Sequence, residues 1–477
     1  MPSDTVDVAV PRVAGERVRA GDTLDVVSPW NGRRVGGVPV VGAEATRAAI
    51  DAAATAMASR LPSFQRAEIL DRAAALLRER RERLARVLAL EVGKPFSQGL
   101  VEADRAVQTL TFSAAEARTL AGRGVVVDAH PAGQGRRGFT IRVPIGVIGA
   151  ITPFNFPLNL AAHKVGPAIA AGCGVVLKPT RDAPLSAIEL AEAFYDAGLP
   201  PEWLSVVVGP SAEIVDEMIA DPRVAMLTFT GSSEVGWDLA ARAPRKRVAL
   251  ELGNSTPVIV CADGDLDAAA AAIATSGFAF AGQSCISVQR VIVHASVHDA
   301  FVERLAAAAR RKRVGDPLER DTDVGPLINA EARERVVGWV GEALGAGSRL
   351  VVGQPDPDGA CLAPVVLDDV APAARVWHDE VFGPVVSLRT FDDLDTAFEL
   401  ANGTEYGLQA GIYTRDLETA LAASERLEFG GVTVNETPTF RVDQMPYGGT
   451  KESGNTREGP HFTIREMTEE RMVVIGS

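Results

Sequence analysis

The sequence is short of features that mark several large classes of protein. Its 477 residues include only four cysteines, with no Cys-x-x-Cys pair and no metal-ligand spacing: Cys173, Cys261, Cys285 and Cys361. So few cysteines in a chain this long do not predict a disulfide scaffold, and reduced thiols in the cytoplasm fit better. Histidines, cysteines and carboxylates do not cluster along the chain, so we expect no metal site.

Long apolar runs and excess positive charge are also missing. No uninterrupted apolar stretch reaches the roughly 18 residues that a membrane-spanning helix needs, so we expect no membrane span. Acidic residues number 62 against 48 basic ones, a net charge of -14. This balance argues against general binding to nucleic acid or anionic membranes, but it leaves room for a local basic pocket. The acidic start, Met1-Pro-Ser-Asp, lacks the basic segment of a secretory signal, which favours a cytoplasmic location.

What is present is the pattern of an α/β protein without internal repeats. In the segment 67–77, apolar residues recur at helical spacing and predict an amphipathic helix, through Leu70, Ala73, Ala74 and Leu77. From residue 145, short apolar runs alternate with helical stretches, which is typical of a parallel sheet covered on both faces. The predicted strands lie at 146–151, 174–178, 204–209 and 226–231, and the helices at 163–171 and 184–198. A second α/β series runs from about 256 to 435.

Two further segments predict β structure outside these series. Val125-Val-Val-Asp and the alternating segment 138–144 flank a loop of Pro, Gly, Gln and Arg, as the arms of a hairpin do. The tail at 471–475 is a short apolar strand without an obvious partner. We expect it to join a sheet edge, within or between subunits.

Cys285 stands in a loop of small residues, Gly282-Gln-Ser-Cys285, between two regular runs. Small neighbours let a substrate approach the sulfur closely. A thiol is a good nucleophile only as the thiolate, so it needs a local base or favourable dipoles. The alternative is a buried structural thiol, a common state of free cysteine, and that interpretation holds for the other three cysteines.

Three more segments carry polar groups that suit chemistry. Glu251 lies between Leu250 and Leu252 at a strand end, where a carboxylate tends to a raised pKa and can act as a general base; the alternative is an acid that caps a following helix. Asn155, in a stiff loop between two prolines, is either a fixed donor to an oxyanion or a turn residue. Backbone N–H groups of Phe229-Thr-Gly-Ser232 suit a pyrophosphate, although the full GxGxxG motif is absent.

In this order along the chain, these segments resemble the aldehyde dehydrogenase superfamily. The resemblance covers essentially all of the chain and rests on Asn155, Lys178, the segment 229–232, Glu251, Gly282-Gln-x-Cys285 and Glu380-Val-Phe-Gly-Pro384. It implies the α/β aldehyde dehydrogenase fold, with a Rossmann-like cofactor domain (1–121 and 144–253), an α/β catalytic domain (254–446) and a small β oligomerisation arm (122–143 and 460–477). It also implies a homodimer or homotetramer.

The resemblance further implies a reaction. Cys285 would attack an aldehyde to give a thiohemiacetal, whose oxyanion the Asn155 side chain and the Cys285 N–H would hold. Hydride transfer to NAD or NADP would leave a thioester, which Glu251 would hydrolyse by activating water. Family branches that pass the acyl group to coenzyme A tend to lack this glutamate. A free carboxylic acid is therefore the expected product, with a CoA-acylating enzyme as the less favoured alternative.

The resemblance also assigns cofactor-binding positions: Thr152, Phe154, Lys178, Arg181, Gly231, Ser232, Glu380 and Phe382. Lys178 would bind the adenosine ribose, Glu380 the nicotinamide ribose, and Phe382 would lie beside the nicotinamide. Arg181 stands where many NAD-preferring relatives carry a glutamate. Without that acid a 2′-phosphate is not repelled, so NADP use is plausible, unless Arg181 turns to solvent. Asn254 replaces a common glycine and is expected to adjust a loop near the cofactor.

The segment 439–449 resembles a branch that contains lactaldehyde, non-phosphorylating glyceraldehyde-3-phosphate, sulfoacetaldehyde and phosphonoacetaldehyde dehydrogenases. Arg105 and Arg441 match arginines that grip an anionic substrate group in phosphonate-aldehyde members, and an arginine pair suits an oxyanion. Arg290 is a weaker third candidate that in the alternative supports the structure. A small anionic aldehyde is expected, with a phosphonate or phosphate favoured. Succinate semialdehyde and a neutral, lactaldehyde-like substrate are the alternatives.

Each arginine also has a plain structural interpretation. Arg105 could pair with Glu102 or another acid, and Arg441 with Asp443. His163, on the helix after the Asn155 loop, is expected to pack or to orient a neighbour, because Glu251 already supplies a base.

Overall fold

The computed structural model describes residues 9–18, 21–354 and 359–476. Residues 1–8, where the predicted cofactor domain begins, and residue 477, the end of the predicted tail, lie outside these ranges. The chain starts with short antiparallel strand pairs and a group of helices: β1 (Arg12–Val13), β2 (Glu16–Arg17), β3 (Thr23–Val27), β4 (Arg34–Pro39), α1 (Ala43–Ala58), α2 (Ser63–Glu79), α3 (Arg81–Val92) and α4 (Phe96–Thr119). The predicted amphipathic helix is α2, and its four stripe residues are buried.

After the hairpin strands β5 (Gly124–Val125) and β6 (Arg137–Pro144), the first α/β series forms a five-stranded sheet in the order β11-β10-β7-β8-β9. Its elements are β7 (Val147–Thr152), α5 (Pro157–Ala171), β8 (Val175–Pro179), α6 (Pro184–Asp196), β9 (Leu204–Val206), α7 (Ser211–Ala220), β10 (Val224–Thr230), α8 (Ser233–Arg242) and β11 (Arg247–Glu251). All neighbouring strands are parallel. The predicted strands and helices are confirmed, although α5 begins six residues before 163, at a proline that suits a first helical turn.

The second series forms a seven-stranded sheet in the order β14-β15-β16-β13-β12-β18-β19, in which only β14 runs antiparallel to its neighbour. This part of the chain contains β12 (Thr256–Val260), α9 (Leu266–Phe278), β13 (Val288–His294), α10 (His298–Arg310), α11 (Ala330–Gly345), β14 (Arg349–Val352), β15 (Val365–Asp368), α12 (Arg375–His378), β16 (Val385–Phe391), α13 (Leu394–Asn402), β17 (Tyr406–Gly407), β18 (Gln409–Tyr413), α14 (Leu417–Arg426), β19 (Gly431–Val434), β20 (Thr450–Lys451), α15 (Pro460–Glu466) and β21 (Thr468–Ile475). Within the described ranges, no helix is both long and apolar enough to cross a membrane.

The predicted hairpin and tail meet in one small antiparallel sheet. β21 pairs with β6 along its whole length, from Thr468 opposite Pro144 to Ile475 opposite Arg137. With β5 the order is β21-β6-β5. The tail therefore joins a sheet edge of its own chain. The predicted domain bounds remain a prediction, while the α/β architecture with a small β arm is confirmed.

The connection between the two large sheets places a cleft between them. β11 ends at Glu251 and β12 begins at Thr256, so the carboxyl edge of the first sheet is joined by a short loop to the amino edge of the second. The strand order of the first sheet reverses between β7 and β10. From β7 the chain adds β8 and β9 on one side, and it then returns to add β10 and β11 on the other side. Ligands of open α/β sheets bind at such a switch point, at the carboxyl ends of the strands.

Candidate active site

A cavity of about 1290 Å³ brings together the three predicted catalytic side chains. Cys285, Glu251 and Asn155 all form part of its wall. Glu251 ends β11, Asn155 lies between β7 and α5, and Cys285 lies between α9 and β13. The fold thus closes the long sequence distances between these residues. The other three cysteines do not line this cavity.

The loop before Cys285 holds an unusual backbone conformation. Phe280, Ala281 and Gly282 have φ values of 47°, 54° and 71°. Such a conformation costs on the order of 1–3 kcal/mol for each non-glycine residue, so the surroundings must hold it. Gln283 does so, because its side chain donates to two carbonyl oxygens and accepts from a backbone amide of the neighbouring loop. Gly282 has no room for a Cβ, which would overlap the carbonyl oxygen of Gly383.

The Cys285 thiol is half-buried and lies 3.2 Å from the Tyr447 hydroxyl oxygen. Burial raises the pKa of this thiol to about 12, and the charges of Glu380 and Glu251 raise it further, while the Tyr447 hydrogen bond and Arg441 act against them. At neutral pH the thiol is therefore protonated in the empty site. Its attack on a carbonyl needs a proton acceptor and groups that stabilise the thiolate.

Glu251 is an isolated carboxyl group in the cavity wall. It is 4% exposed, and neither of its carboxyl oxygens has a hydrogen-bond partner among the described residues. Burial raises its pKa well above the usual range, and nearby Glu458 adds to the rise against Arg441 and Lys164. The predicted raised pKa is confirmed. The helix-capping alternative is wrong, because a strand follows Glu251 and its oxygens are unpaired.

Asn155 is fixed by its own loop. Its Oδ1 accepts a hydrogen bond from the Phe156 amide at 3.2 Å, which leaves the Nδ2 donors for a ligand in the cavity. The first turn of α5 is held by Glu102, whose Oε1 accepts from the Leu158 and Asn159 amides at 3.0 and 3.2 Å. The loop is therefore stiff, as a preorganised oxyanion donor requires.

Seven of the eight predicted cofactor-binding residues line the same cavity: Thr152, Phe154, Lys178, Gly231, Ser232, Glu380 and Phe382. Arg181 is exposed and does not line it, although it lies close enough for its charge to act on Lys178. Burial lowers the pKa of Lys178 to about 8, and Arg181 contributes to the fall. Over the residues that the structure describes, we find no ion pair of either side chain.

The loop that carries Glu380 and Phe382 is bound to the loop after β11. Glu380 Oε1 accepts from the Asn254 amide at 3.0 Å, and burial raises the Glu380 pKa to about 7. A Cβ at Gly253 would lie 2.5 Å from the Glu380 carboxylate, so a larger residue there would displace that carboxylate. Phe154 and Phe382 meet edge to face, with ring centroids 5.8 Å apart. The two candidate cofactor loops therefore contact each other.

The side chain of Asn254 accounts for its departure from glycine. Its Nδ2 donates to Thr256 Oγ1 at 2.7 Å and to the Gln409 carbonyl at 3.1 Å, and its Oδ1 accepts from the Leu408 amide at 3.2 Å. Asn254 thus ties the Glu380-binding loop to β18.

Both predicted substrate arginines line the cavity, and each is paired with a carboxylate. Arg105 donates to Asp443 at 2.8 Å, and Arg441 donates to Glu458 at 3.2 Å. The specific alternatives of Glu102 for Arg105 and Asp443 for Arg441 are wrong. Glu102 is instead used by Lys94 and the start of α5. The alternative that Arg105 pairs with another acid is confirmed, and Arg441 pairs with an acid that the sequence did not name.

The third candidate, Arg290, is corrected to a structural residue. It is fully buried, does not line the cavity, and donates to the carbonyl oxygens of Ser255, Leu400 and Ala401 at 2.7–3.0 Å. These bonds occupy the guanidinium, so it has no face left for a substrate. Burial lowers its pKa to about 9.

The sequence named Asp443 only as a partner for Arg441, whereas the structure pairs it with Arg105. Asp443 accepts from Arg105, Asn159 and His163. Burial acts to raise the Asp443 pKa, but His163 and Arg105 outweigh it and lower the pKa. The predicted orienting role of His163 agrees with this contact. A signal was present, because a charged residue at 443 follows Arg441 in a segment otherwise rich in glycine and small or apolar side chains.

Glu458 and Tyr447 were also missed, and they lie in the segment 447–459 that no predicted domain included. Glu458 binds Lys164 at 3.1 Å as well as Arg441. Burial acts to raise the Glu458 pKa, but Lys164, His163 and Arg441 outweigh it and lower the pKa to about 2. Glu458 is thus ionised at neutral pH. No three His, Cys, Asp or Glu side chains within the described ranges form a group that could hold a metal ion.

The fold and the cavity together suit an oxidoreductase, with a thiol in the cavity wall and a cleft at the switch point of the first sheet. The model of the aldehyde dehydrogenase family matches residues 17–473, and the chain belongs to this family. It is thus an NAD(P)-dependent enzyme that acts on aldehydes.

Known proteins resemble it over nearly the full length. The 3-sulfolactaldehyde dehydrogenase of Priestia aryabhattai is 42% identical over 463 residues, 97% of each chain. The crystal structure of aldehyde dehydrogenase 21 from Physcomitrella patens, in complex with the reaction product succinate, is 37% identical with a TM-score of 0.95 and covers 99% and 98% of the two chains. Glyceraldehyde-3-phosphate dehydrogenase GapN from Methanocaldococcus jannaschii, complexed with NADP, is 37% identical with a TM-score of 0.92 and covers 96% and 100%.

Proposed function

We propose that this enzyme oxidises a short aldehyde with a single anionic group to the free carboxylic acid. The observation that carries this proposal is the pair of guanidinium groups in the cavity wall. Arg105 and Arg441 line the same cavity as Cys285, and Arg105 is the more exposed of the two, at 22% against 5%. The N–H donors that these arginines keep on the cavity side suit an anionic substrate group.

The charges around Arg441 favour one negative charge over two. Arg105 is compensated by Asp443, and Arg441 by Glu458. A dianionic phosphonate or phosphate would face these two carboxylates as well as the two arginines. A sulfonate or carboxylate carries one charge and meets less repulsion. The Priestia relative is named for a sulfonated aldehyde, and the moss structure holds succinate.

Succinate semialdehyde is a second monoanionic candidate, because its carboxylate carries one charge. The phosphonate or phosphate aldehyde that the sequence favoured remains a prediction and ranks below the monoanionic aldehydes. A neutral, lactaldehyde-like substrate ranks last, because it would offer no charge to the two arginines.

The side chains support a thioester route. Cys285 sulfur bonds to the carbonyl carbon as the thiol proton passes to solvent. The electron pair of the carbonyl π bond moves to the oxygen, and Asn155 Nδ2 donates to the oxyanion that forms. A bound nicotinamide supplies the hydride acceptor that oxidises the carbon to a thioester. Glu251 then takes a proton from a water molecule, whose oxygen attacks the thioester carbon. The carboxylic acid leaves, and the Cys285 sulfur regains a proton.

The cavity fits a nicotinamide dinucleotide, and we propose NADP as the preferred form. Lys178 is a buried, unpaired cation in the cavity wall, and Arg181 lies beside it without an acid. Phosphate groups suit such cations. Glu380, Phe382 and Phe154 would hold the nicotinamide end of the cofactor. Thr152, Gly231 and Ser232 lie at the carboxyl ends of the strands at the switch point and would contact the rest of the dinucleotide.

An aldehyde panel tests the proposal. Sulfonate, carboxylate, phosphonate and neutral aldehydes of similar size are assayed with NAD and NADP, with and without coenzyme A. We expect the highest kcat/KM for a monoanionic aldehyde, no dependence on coenzyme A, and no turnover in Cys285→Ala. A best substrate without charge would contradict the anionic site, and a strict coenzyme A requirement would contradict hydrolysis.

We also propose a homodimer or homotetramer built on the arm of β5, β6 and β21. Its exposed apolar residues Phe139, Ile141, Met472 and Val474 favour a covered surface. Light scattering after chromatography should give a mass of two or four chains, and Ile141→Glu with Val474→Glu should lower it. A monomer in the unmodified protein would contradict this assembly.

A further inference from the structure

The Tyr447 hydroxyl is in hydrogen-bond contact with the reacting sulfur. Its oxygen lies 3.2 Å from Cys285 Sγ, and Tyr447 lines the cavity beside the thiol. No other side chain of the described residues makes a hydrogen bond to this sulfur, and the proposed water activator, Glu251, makes no side-chain hydrogen bond at all. The proposed thioester route does not use this contact between the Tyr447 hydroxyl and the Cys285 sulfur.

We propose that Tyr447 is a further catalytic residue, whose hydroxyl donates a hydrogen bond to the Cys285 thiolate as it forms and so stabilises the nucleophile. When the thiol loses its proton, the sulfur can only accept, and the phenol must be the donor. When the sulfur bonds to the carbonyl carbon, its negative charge disappears and the hydrogen bond weakens. The inference rests on the proposed function, since it assumes that Cys285 is the nucleophile.

The Tyr447 ring is held in place from several sides. The residue is 2% exposed, and its backbone forms a two-bond antiparallel bridge with Glu458, with N–O distances of 3.0 and 2.6 Å. The Arg441 guanidinium lies over the ring, 3.7 Å from its centroid. A cation on the ring face attracts the ring electrons and makes the hydroxyl a better donor. Because the ring cannot turn away, the hydroxyl stays on the sulfur.

The charged groups around the sulfur explain why such a donor is needed. Glu380 and Glu251 face Cys285 with charges that oppose a thiolate, and Arg441 alone opposes them. Burial, together with the thiol and Glu251, raises the pKa of Tyr447 well above its usual range, against Arg441. The phenol therefore keeps its proton wherever the enzyme works. It donates without adding a charge to the site.

Alkylation of Cys285 tests the proposal without substrate or cofactor. The rate of iodoacetamide addition at Cys285 is followed by peptide mass from pH 7 to 10 in the unmodified enzyme, Tyr447→Phe and a matched control, Tyr195→Phe. Tyr195 also loses one hydrogen bond, to the Leu204 carbonyl, but does not line the cavity. Below its pKa a thiol reacts in proportion to its thiolate fraction. We expect about tenfold slower alkylation in Tyr447→Phe at each pH, as for a lost hydrogen bond to a charged group, and no change in Tyr195→Phe.

A second measurement keeps the Tyr447 hydroxyl and changes its acidity. Replacement of all four tyrosines by a fluorinated, more acidic tyrosine should accelerate alkylation of Cys285 in the wild-type background and leave it unchanged in Tyr447→Phe. Equal or faster alkylation in Tyr447→Phe, or no acceleration by the fluorinated residue, would overturn the role of Tyr447. Neither result would affect the proposed function, which is tested separately by the aldehyde panel and by the loss of turnover in Cys285→Ala.

Discussion

Two pairs of basic residues lie in or beside the cavity, and they differ in how their charge is compensated. Lys178 lines the proposed cofactor side of the cavity and Arg181 lies exposed beside it, and neither forms an ion pair with the described residues. Arg105 and Arg441, on the substrate side, each hold a carboxylate, from Asp443 and Glu458. A ligand in the cavity would therefore meet unpaired cations on one side and cations already paired with carboxylates on the other.

Under the proposed function, this difference explains how one chain can prefer a highly charged cofactor and a weakly charged substrate. Unpaired cations gain most from a ligand with several negative charges, because nothing already neutralises them. Paired arginines have less charge to offer and keep only their free N–H donors, which suit one small anion. We therefore propose that the carboxylates of the substrate side limit the charge of the aldehyde, an effect that we call the charge limit.

The largest effect is expected where a compensated pair is broken. Glu458→Gln leaves Lys164 and Arg441 buried without their carboxylate, and loss of one partner from a buried ion pair costs about 3–5 kcal/mol. Chemical unfolding should show this loss in the free energy of unfolding. An unchanged stability would mean that Glu458 does not compensate these cations.

On the cofactor side, removal of a charge is expected to raise the free energy of unfolding rather than lower it. Lys178→Met removes a buried, unpaired charge and should stabilise the empty enzyme by on the order of 1–3 kcal/mol at pH 7, while it weakens NADP binding. Because the pKa of Lys178 is lowered to about 8 in the folded enzyme, the unfolded chain holds this proton more tightly. The cost is therefore present below about pH 8 and disappears as the pH rises toward the ordinary lysine pKa. Melting curves at pH 7 and pH 10 check this, and a destabilised variant would contradict an unpaired Lys178.

Removal of the charge limit should change the preferred aldehyde. Asp443→Asn leaves Arg105 uncompensated, so the ratio of kcat/KM for a phosphonate over a sulfonate aldehyde should rise about tenfold, as for one charge interaction in a partly buried site. Asp393→Asn, an exposed helix cap away from the cavity, is the matched control. If the ratio stays the same in Asp443→Asn, compensation does not select the substrate charge.

The smallest effect is a shift of the pH profile. Glu251 must be ionised to activate water, and its pKa is raised, so kcat should fall as the pH drops through a value above that of an ordinary glutamate. The charge of Glu458 contributes to this rise. In Glu458→Gln the acid limb should therefore move to lower pH. A limb that stays in place, or that moves upward, would show that another group controls hydrolysis.

The catalytic groups were accessible from the sequence because each sits in a local pattern. Glu251 is an acid between leucines at a strand end, and Cys285 follows a run of small residues, so local residue order carries their meaning. The alternation of strands and helices could also be predicted, from the spacing of the apolar residues and the length of the apolar runs. The structure then confirmed that the three segments share one cavity.

The compensation of the arginines was not accessible, because it depends on contacts across the fold. Arg105 and Asp443 are 338 positions apart, and the acids that the sequence named as partners were near neighbours, Glu102 for Arg105 and Asp443 for Arg441. Glu102 faces Lys94 and the start of α5, and a side chain committed there cannot serve Arg105. Such ion pairs depend on which way each side chain points in the folded protein, and the order of residues along the chain does not show this.

The most direct test of the account is a mass measurement on Glu251→Gln. The variant is mixed with a monoanionic aldehyde and NADP, quenched with acid, and its Cys285 peptide is weighed. Because the thioester forms but cannot be hydrolysed quickly, we predict an acyl adduct on Cys285 together with one equivalent of reduced cofactor. Full steady turnover with no adduct on Cys285 would contradict the thioester route and the role of Glu251 in it.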